Sequence, residues 1–281
     1  MKPCLTQFHL RALALLACQT AVFLAIPLTV SADETPVPAP AAQTDTGEKA
    51  VGISTLEEAI KQLKLPGVTI NLKEQCVDVA SSICLDQGTL ELIACTKGTK
   101  EHESIIVIEA LPKHVHTALL LLGAKPGNPA MRKALDEDGT RWVDFPPRGA
   151  AVEVFLLIPD KNGKLAERPI SDFIVSVSGD DDPSSGQPRN DAKKGRFPTH
   201  TFVFAGSILD GDETGPRKYL SDLSGNVISI ATFGDELLCL PEVHSDANDQ
   251  LMWELDRTDL PAVGTKITLR LRPQLPNPKR R

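Results

Sequence analysis

The sequence is poor in aromatic residues and contains no long basic run. Aromatic side chains make up 4% of the 281 residues, with two Trp and one Tyr, and the net charge is −7. Proteins that bind nucleic acids present a basic stripe, and many also stack bases on aromatic side chains. The composition therefore predicts that nucleic acid is not a partner, and it argues more weakly against a sugar-binding surface.

Signature motifs of the common enzyme classes are also missing. The chain has no G-x-S-x-G, no H-E-x-x-H, no P-loop and no G-x-G-x-x-G. Its cysteines fit neither a C-x-x-C zinc ribbon nor a haem attachment motif. The sequence leaves open whether the protein is an enzyme, but it favours a non-enzymatic role and gives no confident cofactor.

Residues 1–32 have the pattern of a secretory signal peptide. Lys2 and Arg11 precede an apolar run over residues 12–30, and small residues then lead to Ala32 before the chain becomes acidic. Cleavage after Ala32 would export the protein to the periplasm or the extracellular space. Two alternatives stay open: the run is about 20 residues long, enough to be retained as a membrane anchor, or the chain is lipidated at Cys18.

The remaining residues divide into a linker, one domain and a tail. Residues 33–50 are rich in Pro, Ala and Thr and predict a disordered linker. Residues 51–273 predict one domain, with an alternative division into two subdomains near residue 149. Residues 179–196 predict a flexible insertion, and residues 274–281 form a Pro-rich basic tail.

Alternating apolar residues predict a hairpin near the start of the domain. Residues 76–85 and 89–96 flank the turn Asp86-Gln87-Gly88. Pairing across this turn would bring Cys76 opposite Cys95, and an exported protein permits a disulfide there. The alternative is that the four cysteines of the mature chain are buried free thiols.

The fold class predicted from these patterns is α+β. Ser104–Ala110 is apolar on both faces and predicts a central strand, and Pro112–Gly123 predicts a helix. We expect a mainly antiparallel sheet covered by this helix and by a second helix over residues 54–65. Residues 124–149 read as irregular apart from one helical turn at Met131–Leu135, and Asp235–Leu238 predicts a short helix.

The charged turn before the central strand is the candidate site. It holds Lys100, Glu101, His102 and Glu103. The helix that begins at Pro112 would return His116 to the same end of the sheet. His and Glu side chains together bind divalent metals or transfer protons, so His102, Glu103 and His116 are candidate metal ligands. The alternative is a structural polar network.

Several phrases of the sequence resemble one bacterial family. They are Gly88–Glu91, Ala94-Cys95, Lys100–Glu103, Val115-His116, Phe202–Ser207, Gly225–Ser229, Trp253-Glu254 and Gly264-Thr265. Together these phrases are similar to the YdjY-like domain proteins, an exported family that includes long members in planctomycete-type bacteria. The resemblance implies a signal peptide and a compact domain of unknown function. Short members have been labelled ferredoxin-like, but this chain has no iron–sulfur cysteine spacing.

Two functional hypotheses follow. The first is an exported, non-enzymatic binding or structural module with a partner in the cell envelope. The second is a metal-dependent enzyme or metal-binding protein that uses the turn at Lys100–Glu103 with His116. A site of the second kind requires these side chains to converge in a concave pocket, whereas a binding module should present an exposed edge or an apolar patch.

Overall fold

The computed structural model describes residues 62–136, 138–160, 163–176, 195–211, 215–244 and 253–275, together with residues 58 and 60. The predicted signal peptide, the linker and most of the flexible insertion and tail lie outside these residues. None of the described helices is both long enough and apolar enough to cross a membrane.

The described part of the chain is built mainly from strands. In chain order they are β1 (Val68–Asn71), β2 (Cys76–Ile83), β3 (Leu92–Thr96), β4 (Ser104–Ile108), β5 (Pro126–Asn128), β6 (Met131–Ala134), β7 (Trp142–Phe145), β8 (Arg148–Gly149), β9 (Ala151–Pro159), β10 (Leu165–Pro169), β11 (Ile174–Ser176), β12 (Thr201–Val203), β13 (Leu209–Asp210), β14 (Lys218–Tyr219), β15 (Asn226–Ser229), β16 (Leu238–Cys239), β17 (Trp253–Leu255) and β18 (Lys266–Pro273). The helices are α1 (Pro112–Leu121) and α2 (Leu220–Ser224), with 3₁₀ turns at Glu101–Glu103 and Ile170–Phe173.

Eight of the strands close into a barrel. Their order is β2-β18-β9-β12-β16-β15-β3-β4, and β4 pairs back with β2. The β3–β4 and β15–β16 pairs are parallel and the other pairs in the ring are antiparallel. The prediction of an α+β sheet covered by helices is therefore wrong, since the sheet curves until its edge strands meet and encloses its own core.

Apolar side chains at alternate positions of the strands fill the barrel. In β9, Val152, Val154, Leu156 and Ile158 are buried and alternate with more exposed residues. The same alternation holds along β2 and β18. Alternate side chains of a strand point to opposite faces of the sheet, so these apolar sets line the interior. The core is thus supplied by strands that are far apart in the sequence.

Two local predictions, those of strand β4 and of helix α1, are confirmed. Ser104–Ile108 is a central strand, because β2 and β3 pair with its two edges. Helix α1 starts at Pro112 and buries Val115, Ala118 and Leu119. It packs against β1 and β2 on the outside of the barrel.

The predicted hairpin around residues 86–88 is wrong. Strand β2 does not pair with β3, because β4 lies between them. Strand β3 is buried along nearly its whole length, and it therefore takes a central place in the ring, between β4 and β15. Asp235–Leu238 is not helical either, since Leu238 begins β16 and pairs parallel with β15.

Residues 126–149 form a two-stranded ribbon rather than an irregular loop. At its base β5 pairs with β8, and farther out β6 pairs with β7. Met131–Leu135 is therefore strand and not the expected helical turn. Arg132 and Lys133 face Asp144 and Val143 across the outer ladder, and such cross-strand pairs stabilise the extended form.

Candidate functional site

The charged turn lies in the connection between two parallel neighbouring strands, β3 and β4. Residues 97–103 join β3 to β4, and Leu92 is level with Ser104. Parallel neighbours are usually joined by a dozen or more residues, so this short connection must return directly across the sheet. Gly98 N–H donates to Glu101 Oε1 at 2.5 Å, and Ser104 Oγ donates to the Lys100 carbonyl at 2.7 Å. These bonds fix the backbone of the turn.

Glu101 is held in its ionised form by the backbone. Desolvation acts to raise its pKa, but hydrogen bonds from backbone N–H groups, led by that of Gly98, bring the pKa below its ordinary value. The ionised carboxylate therefore stabilises the turn by accepting hydrogen bonds from its backbone.

Lys100 is the centre of a compact charged cluster. Its Nζ lies 3.1 Å from Glu103 Oε1 and 3.7 Å from Glu91 Oε2. The same ammonium lies above the Phe233 ring, 3.7 Å from its centroid, and forms a cation–π interaction with it. Because Glu91 is buried, this cation compensates a carboxylate that has little access to water.

Replacing Lys100 by methionine should destabilise the fold. The Lys100→Met change leaves Glu91 and Glu103 without their shared cation, and we expect a loss of about 1–3 kcal/mol in the free energy of unfolding. The matched control is Lys97→Met. Lys97 forms a solvent-exposed ion pair with Glu109 at 3.9 Å, and exposed pairs contribute about 0–1 kcal/mol. Urea unfolding of both variants measures the difference; equal losses would contradict the role assigned to Lys100.

The histidines of the predicted metal site lie in different surroundings. His102 is 76% exposed, and its Nε2 is 3.5 Å from Glu103 Oε2. His116 is half-buried on α1, and its Nδ1 lies 2.8 Å from Tyr219 Oη. The edge of its ring meets Phe204, with the ring centroids 4.8 Å apart. Burial lowers the pKa of His116, which favours the neutral ring.

The structure therefore brings His102 and Glu103 together, while His116 contacts another set of residues. Across the described ranges, no group of three or more His, Cys, Asp or Glu side chains is arranged to hold a metal ion. The geometry gives the His102, Glu103 and His116 metal site no support, and the polar-network alternative fits the contacts of the turn.

The four described cysteines, Cys76, Cys84, Cys95 and Cys239, are all free. The predicted Cys76–Cys95 disulfide is not formed, because the hairpin that was expected to align these residues does not exist. Cys76 lies on β2, opposite Asn71 of β1. Cys95 lies on β3, opposite Val107 of β4.

Buried polar contacts lie between His116 and the segment that carries Asp235, and sequence reasoning missed them. Tyr219 Oη donates to the Gly206 carbonyl at 3.0 Å, and Ser207 Oγ donates to the Asp235 carbonyl at 2.6 Å. Asn226 Nδ2 donates to Asp235 Oδ1 at 2.6 Å. The segment around Asp235 thus joins two phrases of the family resemblance, Phe202–Ser207 and Gly225–Ser229.

Glu236 is the most deeply buried charged residue of this network, with no exposed surface. Its Oε1 accepts hydrogen bonds from the backbone N–H groups of Phe233 and Gly234. Burial raises the pKa of its carboxyl group. Phe233 in turn supports Lys100. Glu236 was not recognised from the sequence, because Asp235–Leu238 was predicted to be a short helix.

Glu236 should make stability fall as the pH rises. A carboxyl group with a raised pKa in the folded state contributes most when it is protonated, and that contribution is lost as pH rises from the ordinary value, 4.5, through the folded value. Glu236→Gln keeps an oxygen that accepts from the backbone but cannot ionise. We expect the stability of this variant, relative to wild type, to increase from pH 4.5 to pH 7.5. Urea unfolding at the two pH values measures this, and a difference that does not change with pH would contradict it.

The ribbon of residues 126–149 presents apolar side chains to solvent. Leu135, Trp142 and Phe145 are 55%, 50% and 39% exposed. Arg132 lies over the Trp142 ring, with its Cζ 5.7 Å from the centroid, and its Nε pairs with Asp144 Oδ1 at 3.2 Å. The outer strands β6 and β7 pair only with each other within the described chain. Trp142 lies on one face of the ribbon and Phe145 on the other, because neighbouring positions of β7 alternate between faces. The ribbon therefore exposes an aromatic side chain on each face and has open strand edges.

The base of the ribbon is held tightly to the barrel. Gly127 N–H donates to the Phe204 carbonyl at 2.9 Å, and Phe204 N–H donates to the Ala150 carbonyl at 2.8 Å. A Cβ atom on Gly149 would lie 2.0 Å from the Phe204 carbonyl oxygen. The ribbon thus starts from a fixed platform beside His116, whose ring also contacts Phe204.

Comparison with known proteins assigns the chain to a family. No curated protein and no solved structure matches it significantly. The model of the YdjY domain matches residues 68–272, a range that runs from the first described strand to the last. The resemblance found in the sequence is confirmed, and the chain belongs to the YdjY domain family, whose function is unknown.

Proposed function

We propose that this protein is an exported, non-enzymatic binding module of the cell envelope, and that the ribbon of residues 126–149 is its contact element. Export rests on the N-terminal pattern of basic start, apolar run and small residues before Ala32. The observation that carries the binding role is the exposure of Leu135, Trp142 and Phe145 on one ribbon.

The exposed aromatic side chains support a contact function. Trp and Tyr with Arg are the residues that most often carry the free energy of protein interfaces. Here Trp142 stands beside Arg132, in a chain with two Trp in all. A fold with so few aromatic residues gains no core stability from an exposed Trp, so the placement favours a contact with another molecule.

The partner that fits this surface is a protein with an extended segment. The outer strands have open edges, and an extended segment adds to such an edge by backbone hydrogen bonds. Charges on the ribbon have mixed signs, with Arg132, Lys133 and Arg141 beside Asp136 and Asp144. This mixture gives no field of one sign for a polyanion, which favours a polypeptide over a charged polymer.

The charged turn supports a structural role better than a catalytic one. The charge of Lys100 is shared between Glu103 and Glu91 and covered by Phe233, and Glu101 is bound to its own backbone. A catalytic group needs a free position toward substrate. His102, whose Nε2 lies 3.5 Å from Glu103 Oε2, is mostly exposed to solvent.

The test is retention of envelope proteins by the purified mature chain. Immobilised wild type is compared with the double variant Trp142→Ser/Phe145→Ser and with a control, Leu165→Ser/Leu223→Ser, at two other exposed leucines. We expect the ribbon variant to bind the retained partner, once purified, at least ~30-fold more weakly, as for the loss of interface hot spots. The control should bind as wild type does.

Two results would overturn the proposal. One is equal binding of the partner by wild type and the ribbon variant. The other is failure of wild type to retain any protein more strongly than the control surface does. Thermal unfolding of each variant checks the barrel, which should be unaffected because all four substituted side chains are exposed.

A further inference from the structure

We propose that two chains of this protein pair through β7 of their ribbons, antiparallel and about a two-fold axis, to form a homodimer. The inference rests on the role proposed above for the ribbon as a contact element, and it names a second copy of the chain as what binds one of its two open edges. The edge of β6 stays free in the dimer for the envelope partner.

The hydrogen bonds inside the ribbon define which backbone groups of β7 point outward. Leu135 N–H donates to the Arg141 carbonyl at 2.8 Å, so these residues form a hydrogen-bonded pair of the antiparallel ladder. Hydrogen-bonded and non-hydrogen-bonded pairs alternate along such a ladder, and the register therefore places Trp142 and Asp144 in non-hydrogen-bonded pairs. Their N–H and C=O groups point away from β6, and within the described chain β7 pairs with no other strand.

The outward groups of β7 match those of a second copy of the same strand. When Trp142 of one chain pairs with Asp144 of the other, the two-fold axis passes between the two copies of Val143. Each of the two Trp142–Asp144 pairs then exchanges backbone hydrogen bonds in both directions, as hydrogen-bonded pairs of an antiparallel ladder do. The two ribbons become one antiparallel sheet with the strand order β6-β7-β7-β6.

The side chains on one face of β7 are complementary in this register. Val143 lies opposite its own copy, and Arg141 lies opposite Phe145 of the second chain. Arg141 and Phe145 are both exposed in the single chain, so the pairing covers an aromatic ring that otherwise contacts water. A guanidinium is attracted to an aromatic face, and cross-strand contacts of this kind stabilise a sheet.

The other face places no like charges directly opposite each other. There Asp144 lies opposite Trp142 of the second chain. Within its own chain, the Asp144 carboxylate pairs with Arg132 Nε at 3.2 Å, and Arg132 also lies over the Trp142 ring. The carboxylate therefore enters the interface already paired with a cation.

The edge of β6 is less suited to a second copy. In the equivalent two-fold arrangement of β6, Lys133 would face its own copy, and like charges directly opposite destabilise a sheet. Pairing β6 of one chain with β7 of another leaves an unpaired edge at each end and builds an open array rather than a closed dimer. Pro146 follows β7 and has no N–H, which ends the ladder after Phe145.

The interface is small, so the dimer should be weak. Strand β7 has four residues, and two such strands bury less than the roughly 1,600 Å² of a standard interface. We expect a dissociation constant of roughly 10–500 µM.

The first test is sedimentation equilibrium of the purified mature chain, without any other protein, from about 5 µM to about 1 mM. We expect the average mass of wild type to rise from one chain toward two. Asp144→Pro removes an outward N–H from β7 and should keep the mass at one chain. The matched control is Arg132→Pro, which removes an outward N–H from β6 and should dimerise as wild type does. Both variants lose the Arg132–Asp144 ion pair, so they differ in which edge is blocked.

A pair of charge variants at Val143 keeps the test decisive if a proline variant does not fold. Val143→Lys and Val143→Glu each place like charges at the two-fold axis and should be monomeric alone. An equimolar mixture of the two should recover the dimer, because opposite charges then face each other. Thermal unfolding checks that each variant is folded.

A wild type that stays at the mass of one chain over the whole range would overturn the proposal. So would dimerisation of Asp144→Pro as strong as that of Arg132→Pro, or a mixture of the two Val143 variants that stays monomeric. The retention of envelope proteins is measured separately. A monomeric wild type that still retains its partner would refute the dimer alone, and a dimer that retains no envelope protein would refute the proposed function alone.

Discussion

Replacing Gly149 by alanine is expected to disrupt the base of the ribbon and to destabilise the protein strongly. The new Cβ would lie 2.0 Å from the carbonyl oxygen and 2.5 Å from the carbonyl carbon of Phe204. Gly149 also has φ +157, which side chains other than glycine rarely adopt. Backbone strain and overpacking each cost about 1–3 kcal/mol. We therefore expect Gly149→Ala to lower the free energy of unfolding by about 3–5 kcal/mol.

The control for this substitution is Gly264→Ala. Gly264 also has a positive φ, +85, but nothing lies within 4 Å of an added Cβ. Gly264→Ala should therefore lower the free energy of unfolding only by the strain of a positive φ at alanine, about 1–2 kcal/mol. Denaturant unfolding of the two variants separates the steric contribution from the conformational one. Equal losses of stability in the two variants would mean that the backbone at Gly149 can move away from Phe204 at little cost, which would contradict the tight packing of the ribbon base.

Arg270→Ala is expected to have the second large effect. Arg270 is paired with Asp78 through Nε at 2.7 Å and through Nη2 at 2.8 Å, and its Nη1 lies 3.0 Å from Glu167 Oε2. These bonds join β18 to β2 and to the strand that carries Glu167, β10. Removing one partner of a buried ion pair costs about 3–5 kcal/mol. Because Asp78 and Glu167 keep some contact with water, we expect Arg270→Ala to lower the free energy of unfolding by a smaller amount, about 2–4 kcal/mol.

Lys266→Ala is the matched control in the same strand. Lys266 pairs with Glu109 at 3.6 Å, and both side chains are mostly exposed. Its loss should change the free energy of unfolding by less than about 1 kcal/mol. Thermal or urea unfolding at neutral pH compares the two variants. A loss as small for Arg270→Ala as for Lys266→Ala would contradict the account of β18.

The effect of Arg270→Ala should shrink in acid. Hydrogen bonds from Arg272 and then Arg270 hold the pKa of Glu167 below its ordinary value, 4.5. A carboxylate with a lowered folded pKa contributes stability above its unfolded pKa and loses it as pH falls through the folded value. The difference between wild type and Arg270→Ala should therefore decrease from pH 5 toward about pH 3.

Local features of the fold were predictable, because they depend on residues that are close in sequence. Pro112 marks the start of α1, and the apolar residues of 104–108 mark a buried strand. The family was also readable from short phrases spread along the chain.

Closure of the barrel was not predictable, because it depends on pairings between distant residues. Strand β2 pairs with β18, so that Asp78 faces Arg270. No local periodicity encodes this pairing. The strand β3 illustrates the same point: the turn at residues 86–88 suggested a hairpin with β2, but burial of Leu92 and Ile93 on both faces places β3 between other strands.

The contacts of the charged turn could not be predicted from its sequence. The turn at Lys100–Glu103 lies in the connection between β3 and β4. Its main partners, Glu91 and Phe233, are joined to it by the parallel β3–β4 pair and by the segment that precedes β16. His116 was expected at the turn because α1 was thought to return directly to it; Tyr219 and Phe204 hold it elsewhere.

The most direct test of the binding role is photocrosslinking in the source cell. Benzoylphenylalanine is placed at Trp142, and at Leu223 of α2 as an exposed control site. Irradiation followed by mass spectrometry identifies what each position touches in the envelope. We expect one discrete protein adduct at Trp142 that is absent at Leu223. Identical adducts at both positions, or none at Trp142, would contradict a contact made by the ribbon.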